Sequence, residues 1–248
     1  MNEFIAKSEE SKKILNIIQV SSNLPINIFI KGESGVGKRL LAKKVLPHTI
    51  VMDARFLENE IIANDLNTEQ YKELIITDIH KVLNKKEFLQ YLKNTKIVAT
   101  SQTYLHETEE YFPIKIEISN LEQRKEDLEE ISNRYINDAN QIYDTEVSLN
   151  NLKLDISQNG KSLKKSIYKN VFLYSLNEAD FTLALENIIS KKLDEKKTYK
   201  DFLKMIEIPL LNTAKSKFKS QLQMANKLSL NRITLRKKIE NYFGNDNE

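Results

Sequence analysis

The chain has 248 residues, a formal net charge of +3 and 40% hydrophobic residues, which suits one α/β domain with a smaller module attached. It contains no cysteine, which excludes disulfide bonds and thiolate metal sites, and its three histidines lack metal-ligand spacing. No apolar run reaches the ~20 residues of a membrane-spanning helix, and the N-terminus lacks a secretory signal pattern, so a cytoplasmic protein without a membrane partner is predicted.

Helices and strands alternate through the first half of the chain. An amphipathic helix is predicted over 8–20, and helical periodicity returns over 124–135. Between them, short apolar runs predict five strands at 26–30, 49–52, 73–78, 96–100 and 114–118. Strands that alternate with helices predict a parallel sheet with helices on both faces.

A glycine-rich loop follows the first strand and leads into a helix that begins at Arg39. Its G-x-x-x-x-G-K pattern is formed by Gly32, Glu33, Ser34, Gly35, Val36, Gly37 and Lys38. The glycines let backbone N–H groups turn toward an anion, Lys38 adds a positive charge, and the helix contributes its positive N-terminal end. The loop therefore predicts a nucleotide phosphate site, formed by these seven residues and Arg39. The alternative is a tight turn that needs its glycines for geometry alone.

The second half of the chain is predicted to be mostly helical. A helical subdomain is expected over 138–190, with a polar break at 157–160, and the charged segment 191–197 is expected to be a linker. The predicted division is therefore an α/β domain over 1–137, a helical lid over 138–190, a linker over 191–197 and a last domain over 198–248.

The last domain is rich in basic residues and has the spacing of a helix-turn-helix over 222–239. Small Ala225 permits close helix packing, and Ser229 stands where such turns commonly have glycine, which predicts modest strain. Double-stranded DNA is the predicted partner, because a basic helix can contact base edges and phosphates. The alternative is a basic amphipathic helix whose charges are only solvated. The residues expected at the DNA are Asn231, which also caps the second helix, Arg232, Thr234, Arg236, Lys237 and Lys238.

Four segments of the chain resemble the AAA+ domain of NtrC-type activators of sigma-54 RNA polymerase, followed by a Fis-type DNA-binding domain. Residues 32–38 are similar to the family's GESGTGKE loop, 120–128 to its PLRERREDI segment, 158–163 to its GNVREL segment, and 231–238 to the Fis recognition helix. The resemblance implies ATP or ADP with Mg²⁺ as ligands and places Lys161 at the sensor 2 arginine position. It also implies a homodimer, or a higher oligomer, with an apolar seam formed by Phe202, Met205, Ile206, Leu210 and Leu211 unless these residues form intramolecular core.

The departures from the family concern ATP hydrolysis. In the Walker B segment Thr77 stands at the metal-orienting aspartate position and Asp78 at the catalytic glutamate position, so one carboxylate remains for the Mg²⁺ site and for the attacking water. A shifted register would make Asp78 the metal-side acid. Ser101 stands at the sensor 1 asparagine position, and residues 102–113 contain no arginine or lysine to act as a finger. The family's sigma-contacting GAFTGA loop has no counterpart.

These observations predict a DNA-binding transcriptional regulator that takes ATP or ADP as a regulatory ligand, with weak or absent hydrolysis and no sigma-54 remodelling. One alternative is an active AAA+ ATPase that remodels a transcription partner, with Arg124 or Arg134 as its finger. Another is an architectural DNA-binding protein with a vestigial P-loop domain. RNA polymerase or a second regulator is a further expected partner. A receiver domain is not expected before residue 1, and the regulatory signal is expected to come through nucleotide, a partner protein or protein abundance.

Overall fold

The computed structural model describes residues 3–63 and 70–244, and its contacts divide the chain after Ser175. We call Met1–Ser175 the first unit and Leu176–Glu248 the second unit. Across the two described ranges, no helix combines the length and apolar character needed to cross a membrane.

A parallel sheet forms the centre of the first unit. Its described strands are β1 (Ile28–Lys31), β2 (Val51–Asp53), β3 (Glu73–Thr77), β4 (Lys96–Ser101) and β5 (Ile114–Glu117), in the order β2-β3-β4-β1-β5. Strand β1 pairs with β4 on one side and β5 on the other, and its Ile28 lies opposite Val98 of β4 and Ile114 of β5. The five predicted strands are confirmed, and their ends differ from the prediction by no more than two residues.

Helices cover both faces of this sheet. They are α1 (Glu9–Ser21), α2 (Lys38–Val45), α3 (Ala54–Ile62) and α4 (Lys85–Tyr91). Ile14 of α1 and Leu41 of α2 pack in one apolar cluster, while Leu57 of α3 and Phe88 of α4 pack in the other. Consecutive residues of β3 are therefore buried on opposite faces, which explains its unbroken apolar run.

Two longer helices, α5 (Lys125–Tyr143) and α6 (Gly160–Ser175), form a helical subdomain. Its core includes Ile136 and Ala139 of α5 with Leu163 and Ile167 of α6. The predicted boundary at 137/138 differs from the structure, because α5 continues unbroken across it. That helix ends only where Asp144 adopts a positive φ of 52°.

The second unit is all-α. It contains α7 (Glu178–Leu193), α8 (Tyr199–Lys217), α9 (Gln221–Lys227) and α10 (Arg232–Phe243), and its apolar core comes from α8, α9 and α10. Helix α7 buries no side chain, and the contacts group it with the second unit instead of the predicted lid. Leu211 is buried in this core, so for this residue the intramolecular alternative to a dimer seam holds.

Candidate nucleotide and nucleic-acid sites

The glycine-rich loop turns between β1 and α2 in a conformation that only glycine adopts easily. Gly35 and Gly37 have φ values of 83° and 108°, in the left-handed region. A Cβ atom on Gly35 would lie 2.2 Å from the carbonyl oxygen of Gln158, so the position has no room for a side chain. The backbone of the helical subdomain therefore lies directly against the loop.

Lys38 lies at the first turn of α2 and folds back over this loop. Its ammonium group donates hydrogen bonds to the carbonyl oxygens of Gly32 and Glu33, both at 2.6 Å. Burial lowers the pKa of Lys38, while the negative charges of Asp78 and Glu33 act in the opposite direction. The loop thus holds a half-buried cation at the position that the sequence motif predicts.

A cavity of about 510 Å³ lies beside the loop, at the carboxyl edge of the sheet where ligands of open α/β sheets usually bind. Its walls are the loop, the ends of β3 and β4, and residues of α5 and α6. Four cationic side chains line it, and Asp78 is the carboxylate among its lining residues. The cavity is therefore strongly electropositive. The four cations are Lys38, Arg39, Lys161 and Lys164.

Sequence analysis named three of these cations and missed Lys164. Its ammonium nitrogen lies 5.1 Å from the centre of the Tyr168 ring and 5.8 Å from that of Tyr135. Lys161 and Lys164 are one turn apart on α6 and therefore lie on the same face of the helix. If Lys161 is placed at the cavity, as the family resemblance implies, Lys164 is expected there too. That spacing was the signal available in the sequence.

The two Walker B side chains at the end of β3 already have partners. Thr77 Oγ1 donates to the carbonyl oxygen of Met52 at 3.2 Å. Asp78 adopts a left-handed conformation with φ of 58°, and its carboxylate pairs with Lys81 at 2.8 Å. Both residues line the cavity. The Asp78 carboxylate is already paired with the Lys81 ammonium group, which competes with a metal ion for it. This arrangement agrees with the expectation of weak hydrolysis, which stays a prediction.

Ser101 does not line this cavity, which corrects the sensor-like role assigned to it. Its side chain is fully buried, and its hydroxyl donates to the carbonyl oxygen of Thr103 at 2.6 Å. Thr100 and Gln102 line the cavity instead. Successive side chains of a strand point to opposite sides. The side chains of Thr100 and Gln102 therefore face the cavity, while that of Ser101, between them, points away from it.

A small apolar recess of about 40 Å³ adjoins the cavity and shares its loop glycines and Tyr135. Phe4 and Ile5 form one side of the recess, and Leu121 and Ile131 line it from the start of the helical subdomain. Sequence analysis missed this recess. The apolar pair Phe4-Ile5, which precedes the N-cap Ser8 of α1 by a few residues, was the signal that could have indicated it.

A buried ion pair connects the start of α5 to the glycine-rich loop and to the N-terminal segment. Arg124 and Asp127 lie 3.1 Å apart, with side chains that are 2% and 0% exposed. Arg124 donates to the carbonyl oxygen of Val36 at 2.9 Å, and Asp127 accepts hydrogen bonds from Ser8 and Ser11. The guanidinium is fully engaged inside the first unit, so Arg124 is unsuited to act as the arginine finger that the ATPase alternative requires.

Burial opposes ionisation of Asp127, but hydrogen bonds outweigh it. The donors are the Ser11 and Ser8 hydroxyls and the backbone N–H groups of Ser8 and Lys7, and together they hold the pKa of Asp127 below its usual value. The carboxylate is therefore the charged centre around which the N-terminal segment and α5 are organised.

Asn159 joins the helical subdomain to the glycine-rich loop. Its side-chain amide donates to the carbonyl oxygen of Ser34 at 3.1 Å and accepts from the N–H of Leu121 at 2.7 Å. Next to it, the N–H of Gly160 donates to the carbonyl oxygen of Gly35 at 3.1 Å. The start of α6 is thus bonded to the phosphate-site loop, a connection that sequence analysis did not predict.

In the second unit, α9 and α10 are joined by a short turn. Ser229 has the expected positive φ, 51°, and the Asn231 side chain caps α10 by accepting from the N–H of Ile233 at 2.8 Å. Ile233 is 66% exposed on this helix and was missed as a candidate contact. The exposed polar residues that were predicted at the DNA are Asn231, Arg232, Thr234, Arg236 and Lys237.

Two of the predicted DNA contacts have protein partners. Arg236 pairs with Glu240 at 2.8 Å on the exposed side of α10. Lys238 pairs with Glu207 of α8 at 2.8 Å, and Tyr242 donates to the same carboxylate. Lys238 therefore lies against α8, which corrects its assignment to the exposed nucleic-acid surface.

The sheet order, the P-loop and the helical subdomain define an AAA+ P-loop fold with an all-α second unit. Residues 4–71 match the family model described as the Sigma-54 interaction domain. Among curated proteins, no sequence matches this chain significantly.

The chain is similar in structure to NtrX from Brucella abortus. The crystal structure of NtrX in complex with ADP superimposes with a TM-score of 0.60 and 13% identity, covering 97% of this chain and 69% of that one. The crystal structure of NtrX in complex with ATP gives a TM-score of 0.53 and 14% identity, with 96% and 69% coverage. At these identities the similarity establishes the fold.

Proposed function

We propose that this protein is a DNA-binding regulator of transcription that takes ATP or ADP as a regulatory ligand. The observation that carries the proposal is the electropositive cavity beside an intact P-loop, in a chain that also has a basic two-helix surface. NtrX, whose structure is similar, has been crystallised with ADP and with ATP. The phosphates would bind over the loop glycines and Lys38, near Lys161.

We propose that the nucleobase packs at the adjoining apolar recess, which at about 40 Å³ must open to admit it. Ligand sites combine apolar walls with a few polar groups that fix orientation, and here the recess and the phosphate cavity share the loop glycines. A nucleotide across both would touch the N-terminal segment through Phe4 and α5 through Tyr135. It would also touch the start of α6, which is bonded to the loop through Asn159 and Gly160.

Nucleotide binding tests this proposal directly. Fluorescent ATP and ADP should bind the purified chain, and Lys38→Ala should weaken binding by roughly tenfold or more, because one charge-assisted contact contributes about 1.5–3 kcal/mol. Equilibrium titration by fluorescence anisotropy measures the affinity. Lys43→Ala, which removes an exposed lysine later in α2, is the matched control. Wild-type binding that does not depend on Lys38 would contradict the proposal.

A regulatory ligand must also be coupled to DNA binding. Because linkage is reciprocal, DNA should change nucleotide affinity by the same factor by which nucleotide changes DNA affinity. Nucleotide titrations with and without double-stranded DNA, and DNA titrations with and without nucleotide, measure the two factors. Equal affinities in the two conditions would leave a nucleotide-binding protein without the proposed switch.

We propose that α10 carries the DNA contacts. Arg232→Ala and Lys237→Ala should each weaken binding to duplex DNA and reduce the salt slope of log K by about 1, as expected when a phosphate contact is lost. Lys200→Ala removes an exposed lysine from the first turn of α8 and serves as the charge-matched control. Affinity measured over a salt series would count against this surface if the control had the same effect.

We propose that two copies associate through exposed apolar residues of the second unit. Helix α7 buries no side chain of its own, yet Phe181 and Ile188 lie two turns apart on it, and Ile206 and Leu210 are exposed on α8. Phe181→Glu should shift sedimentation from dimer to monomer, whereas Thr182→Glu on the same helix should not. A wild-type chain that sediments as a monomer at micromolar concentration would contradict this proposal. RNA polymerase or another regulator stays a predicted partner.

A further inference from the structure

The residues at the phosphate cavity do not fit a bound Mg²⁺ ion. P-loop proteins commonly hold Mg²⁺ through a hydroxyl that follows the loop lysine and through a Walker B aspartate. Here the residue after Lys38 is Arg39, a cation that lines the cavity, and the aspartate position holds Thr77, whose hydroxyl donates to a carbonyl oxygen of β2. The remaining carboxylate, Asp78, is paired with Lys81.

The side chains around the cavity therefore do not supply the oxygen ligands that a divalent cation such as Mg²⁺ requires. Mg²⁺ requires a near-octahedral shell of oxygen ligands and usually takes one or two carboxylates together with phosphates and water. In the described part of the chain, no group of three or more histidine or acidic side chains is arranged to hold a metal ion. A cation at Arg39 adds direct repulsion to any metal at the same place.

The same cavity has an excess of protein cations. Lys161 and Lys164 reach it from α6, opposite Lys38 and Arg39, and neither α6 lysine forms an ion pair within the described residues. Lys164 is held near the faces of Tyr135 and Tyr168, which orient a cation without neutralising it. Phosphate oxygens are the ligand group that pairs best with such clustered, unneutralised cations.

We propose that this cavity binds the metal-free phosphate chain of a nucleotide, with Lys161 and Lys164 in the charge-neutralising role that Mg²⁺ has in other P-loop sites. This inference rests on the proposed function, because it specifies the ligand of the same cavity. It predicts that affinity depends on the number of free phosphate charges, in the order ATP, ADP, AMP, and that binding weakens as salt is added.

Metal dependence of binding is the test. Fluorescent ATP and ADP are titrated against the full chain in EDTA and in saturating Mg²⁺, and affinity in EDTA should equal or exceed that in Mg²⁺. Lys164→Gln should weaken binding in EDTA by about tenfold, the effect of one charge-assisted contact. Lys165→Gln, an exposed neighbour on α6 that does not line the cavity, should leave it unchanged. Circular dichroism confirms that each variant is folded.

Arg39→Ser provides a gain-of-function arm, since it restores a hydroxyl after Lys38 and removes the repelling cation. Its binding should weaken in EDTA and strengthen when Mg²⁺ is added. Wild-type binding that requires Mg²⁺ would overturn the inference and leave the nucleotide regulator intact. Binding in neither condition would overturn both, and binding in EDTA that Lys164→Gln leaves unchanged would overturn the role of α6.

Discussion

Asp127→Asn lowers the free energy of unfolding of the first unit by about 3–5 kcal/mol, because it leaves the Arg124 guanidinium buried without a charged partner. The substitution also replaces an acceptor of several hydrogen bonds by a group that accepts fewer. Urea unfolding measures the change, with hydrogen exchange in β1 and α5 assigning it to the first unit. Glu126→Gln alters an exposed acid one residue earlier and should change stability by less than about 0.5 kcal/mol.

The pH dependence of this effect has a defined sign. The folded-state pKa of Asp127 lies below its unfolded value, so its contribution is fully present above the unfolded pKa. That contribution is lost as the pH falls through the folded pKa. Stability measured from neutral to acidic pH should therefore fall more steeply for the wild type than for Asp127→Asn. Parallel curves would show that Asp127 is not the carboxylate responsible.

Gly35→Ala should disrupt both the loop and its contact with α6. The new methyl group would meet the Gln158 carbonyl oxygen at 2.2 Å, in addition to the roughly 1–2 kcal/mol cost of a left-handed conformation. Movement of the loop would misdirect its phosphate-binding N–H groups. Nucleotide affinity should fall by at least about tenfold, the effect of losing one charge-assisted hydrogen bond.

Gly244→Ala is the matched control, because Gly244 also has a positive φ, 74°, but has open space where the methyl group would lie. It should show the conformational cost alone, with unchanged nucleotide affinity. Thermal unfolding and the anisotropy titration measure the two effects separately. Equal losses for both variants would mean that the Gln158 contact contributes nothing beyond backbone strain.

The features that sequence analysis predicted are those with a local pattern. Leu74, Ile75 and Ile76 indicate a strand buried on both faces, and the spacing of glycines before Lys38 indicates the phosphate loop, without any knowledge of distant residues. The cap at Asn231 and the positive φ at Ser229 are likewise set by neighbours within a few positions.

The errors arose where a side chain is directed by a distant partner. The sequence around Arg124 does not reveal whether its guanidinium reaches across a subunit interface or is buried. Its buried position depends on hydrogen bonds to Val36 and Ser11, which are distant in sequence. Lys238 is drawn to α8 by Glu207, which lies 31 residues earlier. The exposed apolar residues of α7 satisfy the pattern of a lid helix equally well, so periodicity alone assigned that helix to the wrong side of the Ser175 boundary.

The long-range bonds around the loop also set an order of events during synthesis. Lys7 and Ser34 are made early, but their partners Asp127 and Asn159 follow 120 and 125 residues later. Translation at about 5–20 residues per second puts on the order of ten seconds between the two groups. The nascent chain therefore carries a complete glycine-rich loop before it has the groups that fix this loop in place, and nucleotide binding should begin only after α6 has left the ribosome.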